Sequence, residues 1–410
     1  MEKKREYYDV AIIGGGAAGL TAAIYCGRAR LKTILFEKAL TGGLATYTSE
    51  IENYPGFPEG ISGINLMKLF EKQAKKFGVD FKLTAIKEAC LGAPEKVIST
   101  FRADYVAKAV IVASGGKPRL TGALGEEAFL YDKGISFCAT CDAAYYTGKS
   151  IMVVGSGDAA IEEAMFLTKF AKRVQISVIH DKGIVDANEV AKEQAFANPK
   201  LEFIWNTVVH EFKGQDRLNQ VVLKNIKTEE RIPVDVDGCF LFIGYLPDTE
   251  IFKGKVNMDS RGYIVTNETM ETNLPGVFAV GDVRVKGLRQ VATAVGDGAI
   301  GGVAAERYLA ESAYFEQKIM GEQQPTLVYC WNPIDPACRS IMAEVEKLKE
   351  KYKEQIKVVT VDMYKAASLA ERLNIRQAPS FALVKDRAIC CTVTECSCVD
   401  SVEQEIKKVI

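Results

Sequence analysis

The chain has 410 residues, 48% of them hydrophobic and 26% charged, which is the make-up of an ordinary folded protein and excludes wholesale disorder. Lysine plus arginine (52) balances aspartate plus glutamate (53), so the strong field that a nucleic-acid or membrane-surface binder relies on is missing. Two histidines, His180 and His210, are too few for a histidine metal cluster or a histidine-rich triad. At roughly 100–200 residues per domain, the length suits about three domains. The opening residues carry charges of both signs with no apolar signal core behind them, and a cytoplasmic protein is expected. The 18 uncharged residues 10–27 match a minimal membrane span in length, but five of them are glycines that fit a better pattern. Neither membrane nor nucleic acid is an expected partner. Eleven cysteines, an odd number, favour thiol chemistry over a structural disulfide framework.

Residues 8–13 read as a buried parallel strand, followed by Gly14-Gly15-Gly16-Ala17-Ala18-Gly19, a helix over 20–28 and a strand over 32–36 that ends at Glu37. This is a dinucleotide fingerprint. Gly14 makes the tight turn, Gly16 admits a pyrophosphate, Gly19 lets the helix pack on the strand, and the helix N-terminus favours the phosphate charge. Glu37 is spaced to accept the two hydroxyls of an adenosine ribose. The pattern recurs with a strand over 149–154, the turn Gly155-Ser156-Gly157-Asp158-Ala159-Ala160, a helix over 161–170 and a strand over 173–179. Two such modules imply two nucleotides with electrons passing between them; the plainer alternative is a second Rossmann unit that binds nothing. Further on, residues 273–282 form a short strand ending in Gly281-Asp282, followed by Arg289-Gln290 and a small-residue helix over 291–309. Gly281 would let backbone approach a flavin, Asp282 could accept a ribityl hydroxyl, and the helix N-terminus would face the isoalloxazine.

Between the modules lies Cys138-Ala139-Thr140-Cys141-Asp142. Such a pair is a redox disulfide or half of a zinc site, and no further ligands stand at zinc spacing, so no metal is expected. Asp142, beside the second thiol, is a candidate proton carrier, since reducing a disulfide consumes protons as well as electrons. Its plainer role would be a helix cap, and the two are compatible.

After a polar stretch, expected to be a linker over 313–325, a new pattern begins. Strands over 326–331, 356–362, 381–385 and 388–393 and helices over 338–352, 366–373 and 400–409 give the order βαβαββα.

Residues 6–310 resemble the low-molecular-weight, bacterial-type thioredoxin reductases. The likeness rests on Gly14/Gly16/Gly19, Glu50-Ile51-Glu52-Asn53-Tyr54-Pro55-Gly56, the Cys138–Cys141–Asp142 motif, Gly155/Gly157/Ala160, and Gly281-Asp282 with Arg289-Gln290. The resemblance implies an α/β fold with two Rossmann-like domains. The FAD domain would take residues 1–115 and 244–312, with Gly43 and Asn53 also near the cofactor, and the NAD(P)H domain carrying the redox pair would be inserted over 116–243. It implies a homodimer with tightly held FAD, in which Cys141 faces the flavin, Cys138 attacks the partner disulfide of a thioredoxin or other disulfide protein, and Asp142 is the acid–base. It also implies rotation of the inserted domain between two states, because disulfide and nicotinamide cannot share one flavin face.

Two departures stand out. Family members that prefer NADPH carry an arginine cluster at the end of the second strand of the inserted domain. Here residues 178–185 hold no arginine, and Asp181 would repel a 2′-phosphate. No strong NADPH preference is expected: the donor is NADH, or another reductant such as ferredoxin feeds the flavin. The other departure is Leu44, after Gly42-Gly43, where the family usually has glutamine.

Residues 326–410 resemble thioredoxin, with a strand ending at Trp331 and Pro379 after Ala378, but without its dithiol. Where the family has Trp-Cys-Gly-Pro-Cys, this chain reads Ile334-Asp335-Pro336-Ala337-Cys338, and Tyr329 replaces the buried aspartate. A carboxylate cannot act as the attacking thiolate, so ordinary dithiol exchange is excluded. Cys396 and Cys398 fall on the loop after the last strand, and either could partner Cys338. The alternatives are a Cys396/Cys398 pair, a metal site with Cys390 and Cys391, or a redox-inactive docking domain that is the enzyme's own partner. Cys26, Cys90, Cys239 and Cys330 sit in apolar contexts and read as small core residues. The function expected is thioredoxin-disulfide reduction; the competing class is a flavoprotein that senses redox state without turnover.

Overall fold

The apolar run ending at Ile13 becomes strand Lys4–Ile13, with Val10, Ala11 and Ile12 fully buried. It is central because both of its faces are covered, the condition that favours a continuous hydrophobic run in a parallel sheet. In the computed structural model, which describes all residues except 1–2, 48–50, 131, 322 and 395–397, the chain divides into two units, Met1–Ala305 and Glu306–Ile410.

The first unit holds a sheet ordered Asp80–Leu83, Thr33–Glu37, Lys4–Ile13, Ala103–Val112, Lys96–Ser99, Glu88–Cys90. Strand Ala103–Val112 has two partners on one edge. Lys96–Ser99 pairs antiparallel with its first half, and the late strand Val277–Ala279 pairs parallel with Val110, Ile111 and Val112. That second pairing carries residues far apart in sequence to one end of the sheet, where Gly14 and Gly281 both lie. Helix Ala17–Arg28 and helix Val291–Tyr314 meet there closely, since a Cβ on Gly298 would come within 2.3 Å of the Ala18 carbonyl oxygen.

The inserted region has its own parallel sheet, ordered Leu201–Trp205, Arg173–Val178, Ser150–Val154, Gly238–Leu241, Ile135–Ser136. An antiparallel sheet of Thr207–Gly214, Leu218–Asn225 and Arg231–Asp235 accompanies it. The chain enters and leaves this region through an antiparallel ribbon of Gly116–Pro118 with Tyr245–Pro247. Among the described residues no helix is long and apolar enough to cross a membrane.

The second unit shows the expected βαβαββα order around a sheet of Lys357–Asp362, Thr326–Trp331, Ser380–Lys385 and Ala388–Val393. Two expectations need correction. The stretch 313–325 is not a plain linker: helix Val291–Tyr314 continues as the π-helical turn Phe315–Met320. Phe315 and Ile319 are buried there against Val328, Val359 and Leu373 of the second unit. The polar residues around them, Glu316 among them, occupy the outer face, which is why composition alone suggested a tether. Cys90 is exposed rather than buried, because it lies on the edge strand Glu88–Cys90, where alternate side chains face outward. Cys26, Cys239 and Cys330 are buried.

Candidate redox and nucleotide sites

Edge strand Ile135–Ser136 delivers the chain to the redox pair, and Cys138 then starts the one-turn helix Ala139–Asp142. Cys138 and Cys141 are joined by a disulfide, their Cα atoms 5.3 Å apart. The Ser136 hydroxyl donates to Asp142 Oδ2 at 2.6 Å, and the Cys138 amide donates to Ser136 Oγ at 3.1 Å. Asp142 stands at the N-terminus of the turn Ala143–Tyr146, but its side chain makes no capping bond there. Its carboxyl is held by a serine that sequence reading passed over. Burial pushes the Asp142 carboxyl above the usual range, the Ser136 hydroxyl pulls it partly back, and the charge of Asp132 adds to the rise. Cys141 and Asp142 line a cavity of about 780 Å³ together with Tyr145 and, from the first nucleotide module, Glu52, Ser62 and Asn65. A redox sulfur and a carboxyl whose pKa burial raises thus open onto one space.

The first phosphate loop is built as its spacing predicts. Gly14 has φ +109°, and a Cβ there would lie 2.2 Å from the Ala113 carbonyl oxygen. A Cβ on Gly19 would lie 1.9 Å from the Gly14 carbonyl oxygen. By contrast, Gly16 faces open space apart from the Gly42 carbonyl oxygen at 3.9 Å, as the approach of a pyrophosphate requires. Glu37 Oε2 accepts from the Gly15 amide at 2.9 Å, which fixes the carboxylate beside the loop. Gly43, with φ +59°, follows in the adjoining turn, and Leu44 after it is exposed.

Gly281 sits at φ +76°, its would-be Cβ 2.8 Å from that of Ala18, so the late motif lies against the first helix. Asp282 Oδ1 and Arg289 Nε and Nη2 are buried with no hydrogen-bond partner among the described residues. Buried polar atoms left unpaired are costly, and a hydroxyl-rich, polar cofactor such as FAD would satisfy them. The Arg289 guanidinium lies 4.2 Å over the Tyr263 ring, and Asn53 donates to Gln290 Oε1 at 3.2 Å. The cradle fits FAD. Beneath it lies Asp297, which accepts from the Gly281 amide at 3.0 Å and pairs with Arg284 and Lys286, both at 2.8 Å. An aspartate inside a run of glycines and alanines was the overlooked sequence signal for this buried charge cluster.

The second loop repeats the first. Gly155 has φ +138°, its would-be Cβ meets the Phe242 carbonyl oxygen at 2.5 Å and the Ala160 Cβ at 2.9 Å, and Gly157 faces open space. Asp181, the carboxylate expected to repel a 2′-phosphate, is instead ion-paired with Lys227.

In the second unit Asp335 caps helix Pro336–Lys351, accepting from the Ala337 amide at 2.9 Å, so its carboxylate has a structural use where a thiol would stand. Cys338 is a fully buried thiol, not bridged to any cysteine among the described residues. Its sulfur accepts from the Asn332 amide at 3.3 Å and lies 3.7 Å from Asp335 Oδ2. Burial pushes this thiol up, and the charge of Asp335 adds to the effect. Tyr329 donates to the Cys338 carbonyl oxygen at 2.8 Å. Cys398 is exposed, with its sulfur 3.7 Å from Asp400 Oδ2, and Cys396 lies outside the described residues. The structure brings the first redox pair together, and among the described residues it does not join Cys338 to Cys398.

Residues 8–298 match the family model described as "Pyridine nucleotide-disulphide oxidoreductase", and residues 307–408 match the one described as "Thioredoxin". The thioredoxin reductase of Peptoclostridium acidaminophilum is 45% identical over 316 residues, covering 76% of this chain and 99% of that protein. The Bacillus subtilis thioredoxin reductase is 40% identical over 309 residues, 75% of this chain and 96% of that protein. Among solved structures, thioredoxin reductase from Streptococcus pyogenes aligns with a TM-score of 0.68 at 41% identity, covering 74% of this chain and 98% of that one. Lactococcus lactis thioredoxin reductase in its FR conformation aligns with a TM-score of 0.56 at 40% identity, covering 74% and 99%.

Proposed function

Because the chain belongs to the pyridine nucleotide-disulphide oxidoreductases, among their thioredoxin reductases, we propose that it moves electrons from a nicotinamide dinucleotide through FAD to Cys138–Cys141 and on to a disulfide of a thioredoxin or thioredoxin-like protein. The single observation that carries the assignment of residues is the Cys138–Cys141 disulfide with Asp142 beside it at a cavity. Bound FAD supplies a two-electron relay between the nicotinamide and the disulfide. Gly14, Gly16, Gly19 and Glu37 hold its adenosine and pyrophosphate, and Gly281, Asp282, Arg289 and Gln290, with Asn53 and Gly43, hold the remainder. Two electrons and two protons open the Cys138–Cys141 bond. Asp142, which keeps its proton to higher pH than an ordinary carboxyl, delivers one of those protons to the departing sulfur.

Cys138 then attacks a sulfur of the partner disulfide as thiolate, releasing the partner's second thiol. Cys141 attacks the Cys138 sulfur of the mixed disulfide and displaces the partner's sulfur, which frees the reduced partner and restores the Cys138–Cys141 bond. The inserted domain hangs on the ribbon Gly116–Pro118 with Tyr245–Pro247, and rotation about it alternates which group meets the flavin. The family likeness supports a homodimer working in the cytoplasm, and sedimentation of the holoprotein tests the assembly.

A second reading, with reduced ferredoxin feeding the flavin, is favoured by the lack of any arginine in residues 178–185. Anaerobic bleaching of the flavin by NADH, NADPH and reduced ferredoxin in parallel separates the donors. For the assignment as a whole, Cys138→Ser should keep its flavin and lose protein-disulfide reduction. Reduction at the parental rate would sink the assignment, and turnover-free flavin chemistry in the parent would leave a redox sensor.

A further inference from the structure

The two nucleotide modules can be set in register by their own backbone hydrogen bonds. In the first, the Gly14 amide donates to the Phe36 carbonyl at 2.8 Å and the Gly42 amide to the Gly15 carbonyl at 2.7 Å. In the second, the Gly155 amide donates to the Ser177 carbonyl at 3.2 Å and the Asp186 amide to the Ser156 carbonyl at 2.8 Å. Isolated parallel bridges Gly16↔Gly42 and Gly157↔Asp186 complete the match. Ser156 therefore stands where Gly15 stands, Val178 where Glu37 stands, and Asp186 where Gly42 stands.

Two consequences follow from that register. The strand-end carboxylate that fixes an adenosine ribose in the first module is replaced by a buried valine, Val178. A carboxylate appears instead on the loop that crosses the phosphate turn. Glu37 Oε2 accepts from the residue between the first two fingerprint glycines, through the Gly15 amide at 2.9 Å. Asp186 Oδ2 accepts from the matching residue, through the Ser156 hydroxyl at 2.8 Å, and is held from the other side by His180 Nε2 at 2.7 Å. Both bonds hold its pKa below the usual carboxylate value, so it is ionised at neutral pH. Asp181, the other acid of this region, is turned to Lys227.

We propose that Asp186 is the specificity-determining residue of the inserted nucleotide site, accepting the 2′-hydroxyl of the adenosine ribose and excluding a 2′-phosphate. The site then takes NADH in preference to NADPH. An anionic acceptor bonds two ribose hydroxyl donors well and meets a phosphate, which has no donor to offer it and carries like charge, with repulsion. This inference rests on the reading that a nicotinamide dinucleotide binds the inserted domain.

The test is calorimetric titration of the FAD-loaded full chain with 5′-AMP and with adenosine 2′,5′-bisphosphate. The unaltered protein should bind 5′-AMP about tenfold or more tighter, the worth of one charged hydrogen bond. Asp186→Asn should shrink that ratio by about tenfold, while Asp181→Asn should leave it within about twofold. A ratio near one in the unaltered protein, or a ratio that Asp186→Asn does not move, overturns the role of Asp186 and leaves the nicotinamide reading standing. If neither nucleotide binds the unaltered protein, the nicotinamide reading falls and the proposal falls with it.

Discussion

Asp142 Oδ2 lies 2.6 Å from the hydroxyl of Ser136, a residue of the strand that leads into the redox pair, and this bond opposes the larger effect of burial on the carboxyl. Removing it should let burial act unchecked. Ser136→Ala is expected to raise the Asp142 pKa further and to move the alkaline limb of disulfide reduction to higher pH. Asp142→Asn should slow that reduction by about 10²-fold, as loss of a general acid does. The sign on stability is fixed by the same shift. A carboxyl whose folded pKa is raised binds more protons folded than unfolded, so its contribution is lost as pH rises from the ordinary value through the raised one. Urea melts between those limits should be flatter in Asp142→Asn than in the parent.

Asp282 offers a buried oxygen without a partner among the described residues, and burial pushes its carboxyl above the usual range. Asp282→Ala removes the acceptor expected to hold a flavin hydroxyl, at a cost of about 1–3 kcal/mol. The flavin-to-protein ratio after gel filtration at low denaturant should fall in this variant and hold in the parent. An unchanged ratio would separate Asp282 from the flavin.

The second unit should fold alone when started at Glu306 and fail to do so fully when started at Pro325. The shorter chain lacks Phe315 and Ile319, both buried in its core, and loss of the phenyl group alone costs roughly 3–5 kcal/mol. It also loses Glu316, which pairs with Arg372 at 3.2 Å and Arg387 at 2.6 Å, but exposed pairs contribute little. Thermal melts of the two fragments read the difference directly.

Cys338 should resist alkylation in the native chain while the exposed Cys390 reacts, because thiolate character and access both decide the rate. Asp335→Asn removes the charge that helps push the thiol up and should speed Cys338 labelling, while asparagine keeps the cap at Pro336–Lys351. Peptide mass mapping after turnover supplies the second readout. A Cys338 that stays reduced throughout means that no relay runs through a Cys338 bridge.

What the sequence determined by itself is what near neighbours encode. The glycine spacings of both phosphate loops, the Cys138–Cys141 pair and the βαβαββα order at the C-terminal end all lie within a few tens of residues. Turn geometry and hydrophobic period are local properties of the backbone, so they survive without knowledge of the fold. Tertiary structure alone decided which distant groups meet. Parallel register placed Asp186, not Asp181, across the second phosphate turn, and it brought Gly281 against Ala18. Packing turned a polar stretch into a helix whose Phe315 and Ile319 close the second core, and an edge strand left Cys90 in solvent. The environments of Asp142 and Cys338 belong to the same class. A group's pKa depends on the atoms packed around it, and in a parallel α/β sheet that packing is set by crossover connections rather than by adjacent letters.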